Sequence, residues 1–168
     1  PLKDINEIEE AMTHAEEIHL KVEEMKNRAK KLSWNVSIEP FPNDWQRLTT
    51  YTDYIQELNQ RIQTTEKLAP TYRVLIERAH AVEWYLQVTY PIDKADINDI
   101  EKRVTDAEYL APQVQELTDK AKEYDWNPNF TIPYTSSNVR QITTQLADTV
   151  RLAKRIKRIE AEAEVTFH

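Results

Sequence analysis

The chain has 168 residues, 40% of them hydrophobic and 30% charged, with a formal net charge of −7. That composition suits one soluble domain with a real core and disfavours nucleic acid as a bulk partner. It holds no Gly and no Cys, which excludes Gly-rich phosphate loops, the dinucleotide fingerprint, disulfide scaffolds, Cys-type zinc sites and thiol catalysis. The missing Gly also argues against a many-turned β fold. Nor does any apolar run approach the ~18 residues of a membrane span.

Helix 1 is predicted over about 2–34. Its apolar residues Ile5, Ile8, Met12, Ala15, Ile18, Val22, Met25, Ala29 and Leu32 fall three and four apart, as on one helix face, and the run ends at Trp34. The connection "NVSIEPFPND" alternates like an extended chain before its prolines, and Asn43 or Asp44 is placed to cap the next helix. Helix 2, over about 44–86, carries Ile55, Leu58, Ile62, Thr65, Leu68, Tyr72, Leu75, Ala79 and Val82, and its repeated stretch closes on Trp84. Helix 3, over about 95–126 with Asp96 as its cap, repeats the stripe as Ile97, Ile100, Val104, Ala107, Leu110, Val114, Leu117, Ala121 and Tyr124, then Trp126. Helix 4, over about 137–166 with Ser136 or Ser137 as its cap, reads Val139, Ile142, Leu146, Thr149, Leu152, Ile156, Ile159 and Ala163. The position of a fourth Trp falls on His168.

These are four copies of one helix, about 42 residues apart, with a small residue at Ala29, Ala79, Ala121 and Ala163. The expected fold is all-α: a single-domain, antiparallel four-helix bundle running up-down-up-down. Helix 4 would close on helix 1, because Arg151, Lys154, Arg155, Lys157 and Arg158 would face Glu16 and Glu17. Leu68-Ala69-Pro70 and Leu110-Ala111-Pro112 lie inside helices 2 and 3. The stripe keeps its spacing across Pro70 and Pro112, which predicts kinked but continuous helices. The rival is a HEAT-like helix-pair solenoid, in which both prolines mark turns.

Little in the chain points to chemistry. Glu16/His19 and Glu77/His80 have the Glu-x-x-His spacing of di-metal bundles, but they sit at different distances from their Trp and flank the stripe. No metal, cofactor or catalytic residue is expected, and the chain is read as non-enzymatic. Trp34, Trp84 and Trp126 are read as structural plugs at helix ends beside Pro-bearing loops. The basic run of helix 4 is the sharpest candidate for an interaction surface, with a protein as the expected partner. A cytoplasmic chain is the favoured expectation, with sequons at Asn35 and Asn129 supporting a secreted one as the alternative; compartment and oligomeric state stay open. The function expected is a rigid helical spacer or scaffold excised from a longer repeat protein. The alternatives are a bundle binding a small apolar ligand or lipid, and an engineered bundle with no biological role.

Overall fold

The structure, a computed structural model, describes residues 4–167. Among these there are four α-helices and no strand: α1 (Ile5–Lys31), α2 (Leu48–Ala81), α3 (Lys94–Lys122) and α4 (Ser136–Phe167). A short 3-10 turn, Trp45–Arg47, precedes α2. The expected start of helix 1 at residue 2 and the fourth Trp position at His168 lie outside the described residues. The chain divides into two compact units. One takes in the chain to Arg73 together with Val88–Ile97; the other takes in Val74–Gln87 and the chain from Asn98 onward.

Each helix forms where the 3.6-residue stripe predicts it, and side-chain caps stand at the starts of α1, α3 and α4 and of the 3-10 turn before α2. Asp4 accepts from the Glu7 amide, and Asp44 accepts from Gln46. Two caps differ from expectation. Asp93, not Asp96, accepts at the start of α3, from the Asp96 amide at 2.8 Å. Thr135 does so for α4, from the Asn138 amide at 3.4 Å.

The first three helices end three to five residues earlier than predicted, at Lys31, Ala81 and Lys122, and all three ends share one device. The Trp34 amide donates to Ala29 O at 3.0 Å, Trp84 to Ala79 O at 2.9 Å and Trp126 to Ala121 O at 3.1 Å. Ser33, Glu83 and Asp125 adopt left-handed φ of 61°, 61° and 54°. This is the Schellman stop, usually built on Gly, here built on Ser, Glu and Asp. Ala29, Ala79 and Ala121 are fully buried, so each recurring Ala is both the acceptor of the stop and a point of close packing.

In the first unit α1 and α2 run parallel, which corrects the up-down expectation for this pair. His14 Nε2 meets Thr52 Oγ1, and further along Arg28 grips Glu66; both pairs are 38 residues apart. A constant separation along two helices means one direction; an antiparallel pair would keep a constant sum instead. The segment 32–44 returns alongside α1. It must cover about 36 Å of helix rise, and thirteen extended residues reach about 43 Å. Along it Val36 and Ile38 pack inward while Asn35, Ser37 and Glu39 face solvent. Phe41 meets His19 and Tyr51, at ring separations of 5.8 and 5.4 Å.

α2 and α3 run unbroken through Pro70 and Pro112. This overturns the solenoid with turns at those prolines. Both prolines are exposed, so the carbonyls they leave without an amide, on Glu66 and Glu108, lie on the wet side of the helix.

Candidate functional site

Two apolar cores are built from the stripes. In the first unit Ile18, Val22, Met25 and Ala29 of α1 pack with Tyr51, Ile55, Leu58 and Ile62 of α2. In the second, Ala107, Leu110, Val114, Leu117 and Ala121 of α3 pack with Val139, Ile142 and Leu146 of α4. In both, the C-terminal half of one helix covers the N-terminal half of the next.

The same two half-stripes recur uncovered at opposite ends of the chain. Ile5, Ile8 and Met12 of α1 are 73%, 41% and 52% exposed. Their counterparts Ile55, Leu58 and Ile62 are buried. Leu152, Ile156 and Ile159 of α4 are 54%, 55% and 52% exposed, whereas their counterparts Ile18, Val22 and Met25 are buried. Ala163, the fourth recurring Ala, is exposed too. Single exposed hydrophobics are ordinary, but a spaced set on one helix face is not.

Five charges flank each open half-stripe. Over 151–158 of α4 stand Arg151, Lys154, Arg155, Lys157 and Arg158, with no acid among them. Arg151 pairs with Asp148 at 2.9 Å and Arg158 with Glu162 at 3.7 Å, both on their own helix. Lys154, Arg155 and Lys157 are exposed. Over 5–17 of α1 stand Glu7, Glu9, Glu10, Glu16 and Glu17, with no Lys or Arg.

Buried polar chemistry is scarce. Thr65 is the one fully buried polar residue described, and its hydroxyl accepts from the Ile92 amide at 3.1 Å. No group of three His, Cys, Asp or Glu among the described residues could hold a metal ion. Glu16, His19, Glu77 and His80 lie on the solvent-facing flanks of their helices. A surface cleft of about 620 Å³ lies against the return segment, between Phe41, Pro42, Arg47 and Tyr54. The sequon asparagines Asn35 and Asn129 are both exposed.

The Trp residues are fixed by different neighbours. Trp34 stacks on Tyr90, with centroids 5.6 Å apart and planes within 9°. The Arg103 guanidinium lies 4.7 Å over the Trp84 ring. Trp126 packs on the second core. Two tyrosines pin the return segment. Tyr51 donates to Glu39 O at 2.9 Å, and the Tyr54 hydroxyl accepts from the Glu39 amide. Burial, and then the charge of a nearby residue, pushes the hydroxyls of Tyr51, Tyr72 and Tyr134 above the usual range.

Sequence reasoning missed the interhelical clamps. Arg28 holds Glu66, and Arg78 holds both oxygens of Glu108 at 2.9 and 2.7 Å. That hydrogen bond draws the Glu108 carboxyl below its usual range. The signal was in the repeat: both arginines lie six residues before their Trp, and both glutamates eighteen before the next one. No family model, curated protein or solved structure matches the chain.

Proposed function

We propose that this protein is a non-enzymatic scaffold module whose function is to align helices side by side, as a spacer that also takes a protein neighbour. One observation carries the reading: the half-stripes that are buried between helices inside each unit stand open on α1 and α4. A module that stacks by such half-helix contacts has the means to continue the stack.

The surrounding facts support it. The buried interior is apolar apart from Thr65. The ion pairs lie on exposed or half-exposed helix flanks, where each contributes little to stability and more to neighbour choice. No helix among the described residues is long and apolar enough to cross a membrane. The clefts described open onto the surface, as at Glu39–Asn43.

The test is affinity purification of the chain from its native source, followed by intact mass spectrometry. A protein bound in fixed ratio is expected. Stoichiometric lipid, small ligand or metal, with no protein partner, would overturn the reading.

A further inference from the structure

The open half of α4 and the open half of α1 are complementary in the features that join neighbouring helices inside the chain. Their apolar residues occupy counterpart positions: Leu152, Ile156 and Ile159 match Ile18, Val22 and Met25, while Ile5, Ile8 and Met12 match Ile55, Leu58 and Ile62. The α1/α2 core shows how two such halves fit, in parallel and with a 38-residue spacing. That spacing sets Lys21 opposite Asn59, and the counterparts of these two are Arg155 and Glu9. In that register the five basic residues of 151–158 lie opposite residues 5–12, which hold Glu7, Glu9 and Glu10, along a seam with an apolar centre.

We propose that the C-terminal half of α4 docks in parallel on the N-terminal half of α1 of a second copy of this chain. The contact is heterologous, so copies join head to tail and the association does not stop at a dimer. Charge specifies the partner: an α4 stripe meeting another α4 stripe brings five cations against five, which is repulsive. One position of the seam is mismatched. Glu162 is the counterpart of Arg28 and Arg78, and Glu16 is the counterpart of Glu66 and Glu108, so a carboxylate faces a carboxylate where the inner pairs have a clamp. The contact is therefore weak in the natural chain, and a single change strengthens it.

The proposal extends the scaffold reading but can fail separately from it. The experiment is sedimentation velocity of the full chain over about 1–100 µM in about 50 mM salt. The expected result is a mass that rises with concentration past the dimer and falls as salt is added. Ile156→Asp blocks α4 and Ile8→Asp blocks α1. Both residues are exposed, so circular dichroism should show both variants folded. Each alone should be monomeric, and an equimolar mixture should give a single 1:1 dimer. Glu162→Arg should tighten association by about tenfold.

Four results would overturn the proposal: a wild-type monomer throughout, self-association of Ile8→Asp, no dimer in the mixture, or capture by anionic vesicles without any self-association. The last would assign the basic half of α4 to a membrane surface instead. A chain that stays monomeric and yet carries a different protein from its native source loses only this proposal.

Discussion

The left-handed residues at the helix stops carry a backbone cost of their own. A residue with a Cβ held at positive φ costs roughly 1–2 kcal/mol, and only Asn, Asp and Gly visit the region routinely. Ser33, Glu83 and Asp125 hold φ of 61°, 61° and 54°. Replacing Glu83 by Gly removes that strain, while Gly loosens the unfolded chain by about 0.4–1 kcal/mol. The expected net effect is a gain of ~0.5–1 kcal/mol, read as a higher urea midpoint at unchanged m-value. The same change at Asp125 should gain less, because Asp tolerates the geometry. A loss of stability at Glu83→Gly would show that its carboxylate, 3.5 Å from the Tyr134 hydroxyl, matters more than its backbone. The Gly-free composition hides these stops: the stripe carries the first three helices to their Trp or past it, whereas the backbone turns left-handed one residue before each Trp.

The Arg78–Glu108 clamp allows a second residue-scale test. The folded chain holds Glu108 below its usual range through the Arg78 hydrogen bond. A lowered carboxyl contributes stability that is present above the unfolded value, near 4.5, and lost as pH falls through the folded one. The raised tyrosines act at the other end. Tyr51, Tyr72 and Tyr134 are kept protonated chiefly by burial, so their contribution is complete below about pH 10 and lost above it. A pH series of urea midpoints should be flat between these limits and fall on both sides. In Glu108→Gln the acid limb should shrink while the alkaline limb stays. An unchanged acid limb would deny Glu108 any part in it.

At the scale of the element, stripe and proline were legible, and direction was not. Apolar spacing placed all four helices, and the unbroken spacing across Pro70 and Pro112 foretold α2 and α3 running through them. A stripe is blind to direction, since it looks the same read from either end. The antiparallel expectation came from taking the connections as short. The early stops lengthen the first connection, and its alternating residues pack as an extended return along the helix. The two prolines still weaken their helices. Pro70 is exposed, so Pro70→Ala restores an amide hydrogen bond without disturbing the core. It should raise stability by ~1–3 kcal/mol, the range allowed when part of the cost of an interior proline has been relieved by solvation of the freed carbonyl. Thermal melts of the two proteins would measure it. A neutral or destabilising result would mean that α2 depends on a local geometry only proline supplies.

Across the whole molecule, the decisive quantity is how unevenly protection is distributed along α4. Its first half carries the buried residues Val139, Ile142 and Leu146, while residues 154–167 are all exposed. Helical stability in proteins comes mainly from packing, and an isolated stretch of fewer than ~12–15 residues is marginal in water. The end of α4 has one ion pair of its own, Arg158 with Glu162, and pairs of this kind add only about 0.3–0.5 kcal/mol. Amide hydrogen exchange in dilute solution should therefore show 154–166 opening at close to zero free energy, while 139–147 exchanges only through larger openings. Raising the concentration should then slow exchange over 151–162 and, in parallel, over 5–16 of α1, with the α1/α2 core unchanged. Protection that rose in α4 alone would point to a partner other than the acidic half of α1. Uniform protection along α4 at every concentration would mean that its open stripe is already covered in the single chain, and head-to-tail docking would lose its basis.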